Sequence, residues 1–203
     1  MPRVTESHRA GRRAEILAAA ARLFAANGFH ATSMAGIIAE SGLSAGAVYS
    51  YFRSKHELIE AVAEFVMSTA DDVFGELLAG DAVPSPADVT SAMVEGIAGQ
   101  LIHHPVIGAD MTRLAVQTWS EALRNPDVLA RVSHVVVRLR GHCAEAARRW
   151  QDAGNLPAEV TPDQVGAAML SLVQGYILQR LLLPQTDAPY YVAGIRALLS
   201  GKT

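Results

Sequence analysis

The 203-residue sequence predicts an all-α fold of about nine helices in two domains. Three observations lead to this prediction. Apolar residues recur at helical spacing in successive segments, Gly, Pro and Asn separate these segments, and no stretch alternates as a half-buried strand does. We expect an N-terminal domain over residues 1–56, joined by a long helix to a C-terminal helical domain over residues 57–203.

Charge is divided unevenly between the two predicted domains. Residues 1–56 carry seven Arg or Lys against three Glu, a formal charge of +4, whereas the rest of the chain carries −7. A basic N-terminal domain on an acidic body points to nucleic-acid affinity at the N-terminal end. The single Cys143 excludes an internal disulfide and is expected to be a small buried hydrophobe, with a reactive thiol as the alternative.

Targeting signals are not evident in the sequence. No run of about 18 uninterrupted apolar residues is present, so we expect no transmembrane helix. The polar start of the chain lacks the apolar core of a secretory signal, and a cytoplasmic location is therefore expected. Residues 1–9 are expected to be a disordered tail, or else an arm that lies along DNA.

The stretch from Thr32 to Lys55 contains two short helices with almost nothing between them. Before it, helix 1 is expected over Ala10 to Asn27. Thr32 is expected to cap a helix over Ser33 to Glu40, and Ser44 a second helix over Ala45 to Tyr51. The turn contains Gly42, which tolerates the positive φ that ends one helix and lets the next leave steeply. This pattern predicts a helix-turn-helix, whose second helix can enter a DNA major groove.

From Arg13 to Leu58 the chain resembles the DNA-binding domain of the TetR/AcrR-type one-component transcriptional regulators. The run G-F-x-x-T-S followed by S-G-L-S-x-G-x-V-Y-x-Y-F-x-S-K at fixed spacing carries the resemblance. The matching residues are Ile16, Leu17, Ala20, Leu23, Phe24, Gly28, Phe29, Thr32, Ile38, Ala39, Gly42, Leu43, Ser44, Gly46, Val48, Tyr49, Tyr51, Phe52, Ser54, Lys55 and Leu58.

The resemblance implies DNA-contact roles for some positions of the helix-turn-helix. Thr32 or Ser33 would bind a phosphate at a helix N-terminus. Tyr49 and Tyr51 would place hydroxyls on phosphates or base edges, and Lys55 would neutralise a phosphate. The remaining candidates on the second helix are small: Ser44, Ala45, Gly46, Ala47 and Ser50. Without Arg, Gln or Asn there, we expect close backbone approach, contact with thymine methyls and readout of DNA shape.

The rest of the chain is expected to be helical. The sequence Ser54-Lys55-His56-Glu57 reads as a capping box that opens helix 4, which should run to about Leu78. The later helices are expected over Pro86 to His103, Val106 to Arg124, Asp127 to Ala153, the segment after Thr161 to Leu183, and Tyr190 to Leu199. In Thr161-Pro162-Asp163, Thr161 is expected to be the cap and Pro162 to lie in the first helical turn.

The helix after Thr161 is apolar on nearly every face and must therefore be buried on nearly every face. A partner subunit provides this burial most simply, and the resemblance implies a four-helix dimer interface with the last helix. The candidate interface residues are Val165, Leu170, Leu172, Val173, Ile177, Leu178, Leu181, Ile195 and Leu198.

A ligand pocket is expected among helices 4 to 8. Its candidate lining residues are Phe74, Met93, Ile97, Leu101, Met111, Leu114, Trp119, Leu139, Met169 and Leu172, with Gln117, His142 and Gln174 as polar groups. Plain core packing is the alternative for each apolar residue. A mostly apolar pocket would suit a hydrophobic or amphipathic small molecule.

No enzyme motif or metal-ligand spacing is found, so no catalytic residue, cofactor or metal is expected. The predicted function is a ligand-responsive transcriptional regulator, a repressor that binds a palindromic operator as a homodimer and is released by a small-molecule effector. The alternative is an all-helical ligand-binding or scaffold module without specific DNA binding, which would leave the basic N-terminal domain unexplained.

Overall fold

The structure, a computed structural model, describes residues 6–77, 83–102, 104–105 and 107–199, without the side chains of residues 6–7, 70–71 and 73–77. The described residues form helices and contain no strand, which confirms the predicted all-α class. The helices are α1 (Glu6–Ala31), α2 (Met34–Ser41), α3 (Ala45–Tyr51), α4 (Lys55–Leu77), α5 (Pro86–Gly96), α6 (Met111–Ala122), α7 (Pro126–Asp152), α8 (Pro162–Leu182) and α9 (Ala188–Leu199), and a π-helical turn (Ile97–Leu101) follows α5.

The chain folds into two compact units. Unit 1 combines Met1–Val66 with Ile102–Leu129, and unit 2 combines Met67–Leu101 with Ala130–Thr203. The sequence did not indicate that α6 belongs with the N-terminal helices, although α1 and α6 pack against each other. These units are defined by packing, whereas the division predicted after residue 56 separates a DNA-binding domain from an effector-binding and dimerisation domain. That division by function stays a prediction.

In unit 1, the apolar face of α1 is the centre of the core. Ile16, Ala20 and Phe24 are fully buried, and the Phe24 ring meets the Phe29 ring edge to face at 5.0 Å. The expected end of helix 1 at Asn27 agrees with a break at Gly28, where φ is 84° and ψ is 163°. A short helical turn follows the break, and α1 begins at Glu6, earlier than the expected Ala10.

Two predicted caps are corrected by the structure. Ser33, not Thr32, caps α2, because the Ser33 hydroxyl accepts a hydrogen bond from the Gly36 amide at 3.1 Å. At the start of α4, the Ser54 hydroxyl accepts from the Glu57 amide as expected. The Glu57 carboxylate, however, accepts from the amide of Arg53 at 2.7 Å, one residue earlier than a capping box requires.

One predicted helix start was wrong, and one predicted helix end lies outside the described residues. The α-helical part of α5 ends at Gly96, where the backbone changes to the π-helical turn, and the expected end at His103 lies outside the described residues. The α6 helix begins at Met111, because Gly108 adopts a φ of 68° and the Asp110 carboxylate caps the helix by accepting from the Thr112 amide. Its expected start, Val106, also lies outside the described residues.

In unit 2, α5 packs against both α8 and α9. Thr161 caps α8 as expected, and it also forms a capping box with Gln164. The α7 and α8 backbones approach closely at Gly166, where a Cβ would lie 2.7 Å from the Ala144 amide nitrogen. Among the described residues, α8 alone is long and apolar enough to cross a membrane, and 33% of its most apolar window is buried in the protein. A core helix passes the same test of length and composition.

Candidate DNA-binding surface and effector-binding residues

The helix-turn-helix is built by a capped turn between α2 and α3. Gly42 ends α2 in the left-handed region, with a φ of 66°, and its amide donates to the Ala39 carbonyl at 3.2 Å. The Ser44 hydroxyl then caps α3 by accepting from the Ala47 amide, as the sequence predicted. Ile37 and Val48 are fully buried and hold the two helices on the core of unit 1. The orientation of α3 is therefore fixed by packing as well as by the turn.

The outer face of α3 is open and nearly without long side chains. Ser44, Ala45, Gly46 and Ser50 are exposed, and Tyr49, 46% exposed, is the large side chain among them. Ala47 and Tyr51 are partly exposed. A Cβ added at Gly46 would meet nothing within 4 Å, so the helix backbone can approach a flat or grooved surface there. This surface suits the backbone approach and methyl contacts that we expected from the sequence.

Thr32 and Ser33 occupy different environments although they are adjacent. The Thr32 side chain is 4% exposed, and its hydroxyl donates to the carbonyl of Gly28 at 2.8 Å and less closely to that of Leu23. It therefore ties α2 to the end of α1. Ser33 is exposed at the N-terminus of α2, where the helix dipole favours an anion. Of the two predicted phosphate ligands, Ser33 has the accessible hydroxyl.

Lys55 has a structural role that sequence reasoning missed. Its ammonium group donates to the carbonyls of His30 and Thr32, at 3.2 and 3.1 Å. It thus joins the start of α4 to carbonyls at and just beyond the end of α1, where the helix dipole favours a cation. Because the partners lie more than 20 residues away, no local sequence signal could have indicated this contact. Lys55 remains partly exposed and adds positive charge beside Ser33.

The predicted ligand-binding residues are divided between the two units. In unit 2, Met93, Ile97, Leu101, Leu139 and Met169 are buried, whereas His142, Leu172 and Gln174 are partly exposed, and the Phe74 side chain lies outside the described residues. In unit 1, Met111 and Leu114 are buried, and Trp119 and Gln117 are partly exposed. The buried apolar residues of each unit lie in its core, which fits either core packing or a pocket wall.

Cys143 lies in the core of unit 2, as expected for a small hydrophobe. It is fully buried, and its thiol lies 3.6 Å from the Met93 sulfur. Burial raises the pKa of the Cys143 thiol to about 12, because the thiolate would lose its hydration. The thiol is therefore protonated and unreactive at neutral pH.

The predicted dimer-interface residues fall into two groups. Leu170, Val173, Ile177 and Ile195 are buried within their own chain. Leu178 and Leu198 are exposed at 41% and 75%, and Val165, Leu172 and Leu181 are partly exposed. Leu182, which is 74% exposed, extends the apolar surface of α8 beyond the predicted set. The exposed group therefore leaves an apolar surface on α8 and α9 for another molecule to cover.

Comparison with known proteins gives the class of this helix-turn-helix protein. Residues 16–62 match the family model described as bacterial regulatory proteins, tetR family. Residues 107–200 match the one described as BetI-type transcriptional repressor, C-terminal. The chain is 27% identical over 189 residues to the regulator UidR of Escherichia coli K12, covering 93% of this chain and 91% of UidR. It is 27% identical over 198 residues to TtgR of Pseudomonas putida, covering 92% and 88%.

Solved structures show the same fold over nearly the whole chain. Salmonella enterica GusR superposes with a TM-score of 0.70 at 24% identity, covering 98% of this chain and all of GusR. A Chloroflexus aurantiacus TetR regulator reaches a TM-score of 0.78 at 21% identity, covering 97% and 98%. A Saccharomonospora viridis regulator solved in complex with choline gives 0.77 at 20% identity, covering 95% and 97%.

The two family matches and these relatives define the protein as a DNA-binding transcriptional regulator. The chain belongs to the TetR family. This confirms the resemblance drawn from the sequence, and the alternative of a helical module without DNA binding is not favoured. The family comprises regulators and is not an enzyme class.

Proposed function

We propose that the protein is a repressor that binds a palindromic operator as a homodimer and leaves it when a hydrophobic or amphipathic small molecule binds. The observation that carries this proposal is the open face of α3, presented by a capped turn in a chain of the TetR family. Residues 1–56 would bind DNA, and residues 57–203 would bind the effector and form the dimer. We place the protein in the cytoplasm, where its DNA target lies.

The DNA contacts that we propose divide into positioning and reading. Ser33 at the N-terminus of α2, the hydroxyls of Tyr49 and Tyr51, and the charge of Lys55 would position the protein on phosphates. Ala45 and Ala47 would contact thymine methyls in the major groove, which Gly46 lets the backbone approach. Because α3 offers no bidentate side chain for a purine, sequence-dependent DNA shape would supply part of the specificity.

The effector would act by binding one conformation of the dimer more tightly than the other. Only such a difference in affinity can move the equilibrium away from the DNA-binding state. The apolar side chains of Met93, Ile97 and Met169 would line the site of an apolar ligand, and the partly exposed His142 and Gln174 would orient its polar end.

The test is a selection of genomic DNA fragments with the purified full-length protein at two salt concentrations. A palindromic site recovered at both concentrations, with affinity that falls steeply with salt, is the expected result. Weak binding to all sequences at low salt alone, with or without added ligands, would reject the proposal. The genes beside a recovered site then suggest effectors to titrate.

The effector is tested by its power to dissociate the recovered operator. A panel of amphipathic compounds should contain members that lower operator affinity, whereas small polar compounds should not. Choline belongs in the panel as a small cation, since a structural relative was solved with it. Release by choline alone would contradict the apolar effector but leave the repressor function intact.

A further inference from the structure

We propose that Gln117 is a positioning residue for DNA recognition: it holds the helix-turn-helix on α6 and so fixes the spacing of the two α3 helices in a dimer. This inference rests on the proposed repressor function. It concerns a contact of α6 within unit 1, whereas the sequence indicated α4 as the connecting helix.

The chain topology gives α6 this position. The chain crosses between the two units three times, after Val66, after Leu101 and after Leu129. The first crossing lies within α4, and the other two lie on either side of the segment that contains α6. The chain therefore connects the two units on either side of the α6 segment as well as within α4.

The Gln117 amide makes a direct hydrogen bond between α6 and α1. Its nitrogen donates to the backbone carbonyl of Phe24 at 2.9 Å, across 93 residues of sequence. Its side-chain oxygen is buried and has no hydrogen-bond partner among the described residues. Gly28, where α1 breaks, lies against that oxygen, since a Cβ there would be 4.0 Å away. Leaving an amide oxygen unpaired is unfavourable, so the packing of α1 on α6 does not by itself require a glutamine here.

Three polar side chains lie next to Gln117: the His30 imidazole on α1, the Glu121 carboxylate on α6 and the Arg124 guanidinium just after α6. The Glu121 carboxylate, whose side chain is 14% exposed, lies 3.6 Å from the His30 imidazole and 3.7 Å from the Arg124 guanidinium. The His30 carbonyl accepts from Lys55 at the start of α4. A cleft of about 280 Å³ lies between these residues. Glu121 Oε2 has no hydrogen-bond donor within the described part of the chain, so the direct hydrogen bond between α1 and α6 in this region is that of Gln117.

The effect of Gln117 on DNA binding follows from the geometry of a dimer. A dimer gains affinity for a palindrome only when both α3 helices bind their half-sites at the same time. Once the first α3 helix is bound, this gain depends on the effective concentration of the second α3 helix at its own half-site. Loosening the helix-turn-helix on α6 lowers that effective concentration. It does not change the surface that a single helix-turn-helix presents to one half-site.

The experiment compares Gln117→Leu and Gln117→Glu with wild type in the full-length protein. Both variants keep the side chain close to glutamine in size. Leucine has no group that can donate to the Phe24 carbonyl, and an ionised glutamate has none either. Gln100→Leu is the matched control, since the Gln100 side chain is exposed and makes no hydrogen bond within the described part of the chain. Affinity is measured for the selected palindrome and for a duplex that carries a single half-site, together with dimer state and melting temperature.

The expected result is a loss of about 3- to 10-fold in affinity for the palindrome in both Gln117 variants, in line with one hydrogen bond lost per subunit. Half-site affinity, its salt dependence and dimer state should match those of wild type and Gln100→Leu. Unchanged palindrome affinity, or an equal loss on both duplexes, would overturn the positioning role. If wild type itself selects no palindrome, the repressor proposal fails instead, and the two failures are thus distinguishable.

Discussion

At the scale of single residues, the neighbouring hydroxyls of Thr32 and Ser33 have different expected roles: the buried Thr32 hydroxyl stabilises the fold, whereas the exposed Ser33 hydroxyl is also available to DNA. Replacing Thr32 by Val removes buried hydrogen bonds to α1 and should lower the free energy of unfolding by about 1 kcal/mol. Replacing Ser33 by Ala removes the α2 cap, with a similar cost of about 1 kcal/mol, and also removes an exposed hydroxyl at the proposed phosphate site. Denaturant unfolding and operator titration on the same samples measure both effects.

The two variants should therefore differ in operator affinity at equal stability loss. Thr32→Val should bind the operator as wild type does under conditions in which it is fully folded. Ser33→Ala should bind it several-fold more weakly, by about 1 kcal/mol for one hydrogen bond. A Thr32→Val protein that is folded yet impaired in DNA binding would contradict the division of roles.

Lys55 is expected to serve both stability and DNA binding. Lys55→Met keeps the aliphatic stem but removes the donors to the His30 and Thr32 carbonyls, so we expect a loss of about 1 kcal/mol in unfolding free energy. The loss of one cation near phosphate should also reduce the slope of log affinity against log salt by about one. Arg53→Met is the control, since the Arg53 side chain is exposed two residues away. Equal behaviour of the two variants would reject the double role of Lys55.

Residue-scale prediction succeeded where the signal was local. Ser44 and Thr161 were predicted as caps because each stands directly before a helix and no other hydroxyl adjoins it. From the sequence, either the Thr32 or the Ser33 hydroxyl could have capped α2. In the structure, the Thr32 hydroxyl instead donates to the Gly28 carbonyl, at the break in α1, and Ser33 is the cap. The contacts of Lys55 and Gln117 are long-range and have no local signature.

At the scale of elements, the close approach of α7 and α8 depends on Gly166. A Cβ at this position would lie 2.7 Å from the Ala144 nitrogen and 2.9 Å from the Arg140 oxygen, both of which are backbone atoms. Because helix backbones cannot shift independently, we expect Gly166→Ala to cost about 1–3 kcal/mol as an overpacked core does. Thermal or denaturant unfolding gives the measurement.

Gly141→Ala on α7 is the matched control for Gly166→Ala. Gly141 is exposed, and a Cβ there would meet nothing within 4 Å. Alanine in a helix interior is more favourable than glycine by roughly 0.5–1 kcal/mol, so this variant should be more stable than wild type. Destabilisation of both variants alike would mean that the approach at Gly166 is not the cause.

Element boundaries were predicted best where a cap and a stop flank one uninterrupted apolar pattern. The α3, α7 and α8 boundaries were found within a residue or two for this reason. The expected α6 was too long at its start because Gly108 and Asp110 were read as part of the helix, whereas they are a left-handed turn and a cap. The packing of α6 with α1 could not be predicted, since a helical pattern shows which face is buried but not what covers it.

At the scale of the whole molecule, the apolar surface of α8 and α9 bears on assembly. Family members bind operators as dimers, and the sequence placed the dimer interface on these two helices. The structure divides the predicted interface residues, because Val173 and Ile177 are buried within one chain, whereas Leu178 and Leu198 are exposed. An aspartate at Val173 or Ile177 would unfold the subunit, so only the exposed group can test the interface.

Leu178→Asp should therefore yield a folded monomer. A charge on an apolar interface is unfavourable by several kcal/mol because it is desolvated without a partner, whereas at an exposed site it costs little. Leu123→Asp is the control, since Leu123 is 85% exposed and lies in unit 1, just after α6. Sedimentation equilibrium measures the mass, and helical circular dichroism shows that each variant is folded.

Loss of the dimer should then appear in DNA binding as a loss of palindrome preference. A monomer keeps its own α3 surface and should bind a half-site duplex as wild type does, but gains nothing from a second half-site. The dependence of melting temperature on protein concentration should disappear in Leu178→Asp and persist in Leu123→Asp, because dimerisation stabilises the folded subunit by mass action. A Leu178→Asp protein that still sediments as a dimer would move the interface away from this face of α8. The apolar surface would then have to be covered by something other than a second copy of the chain.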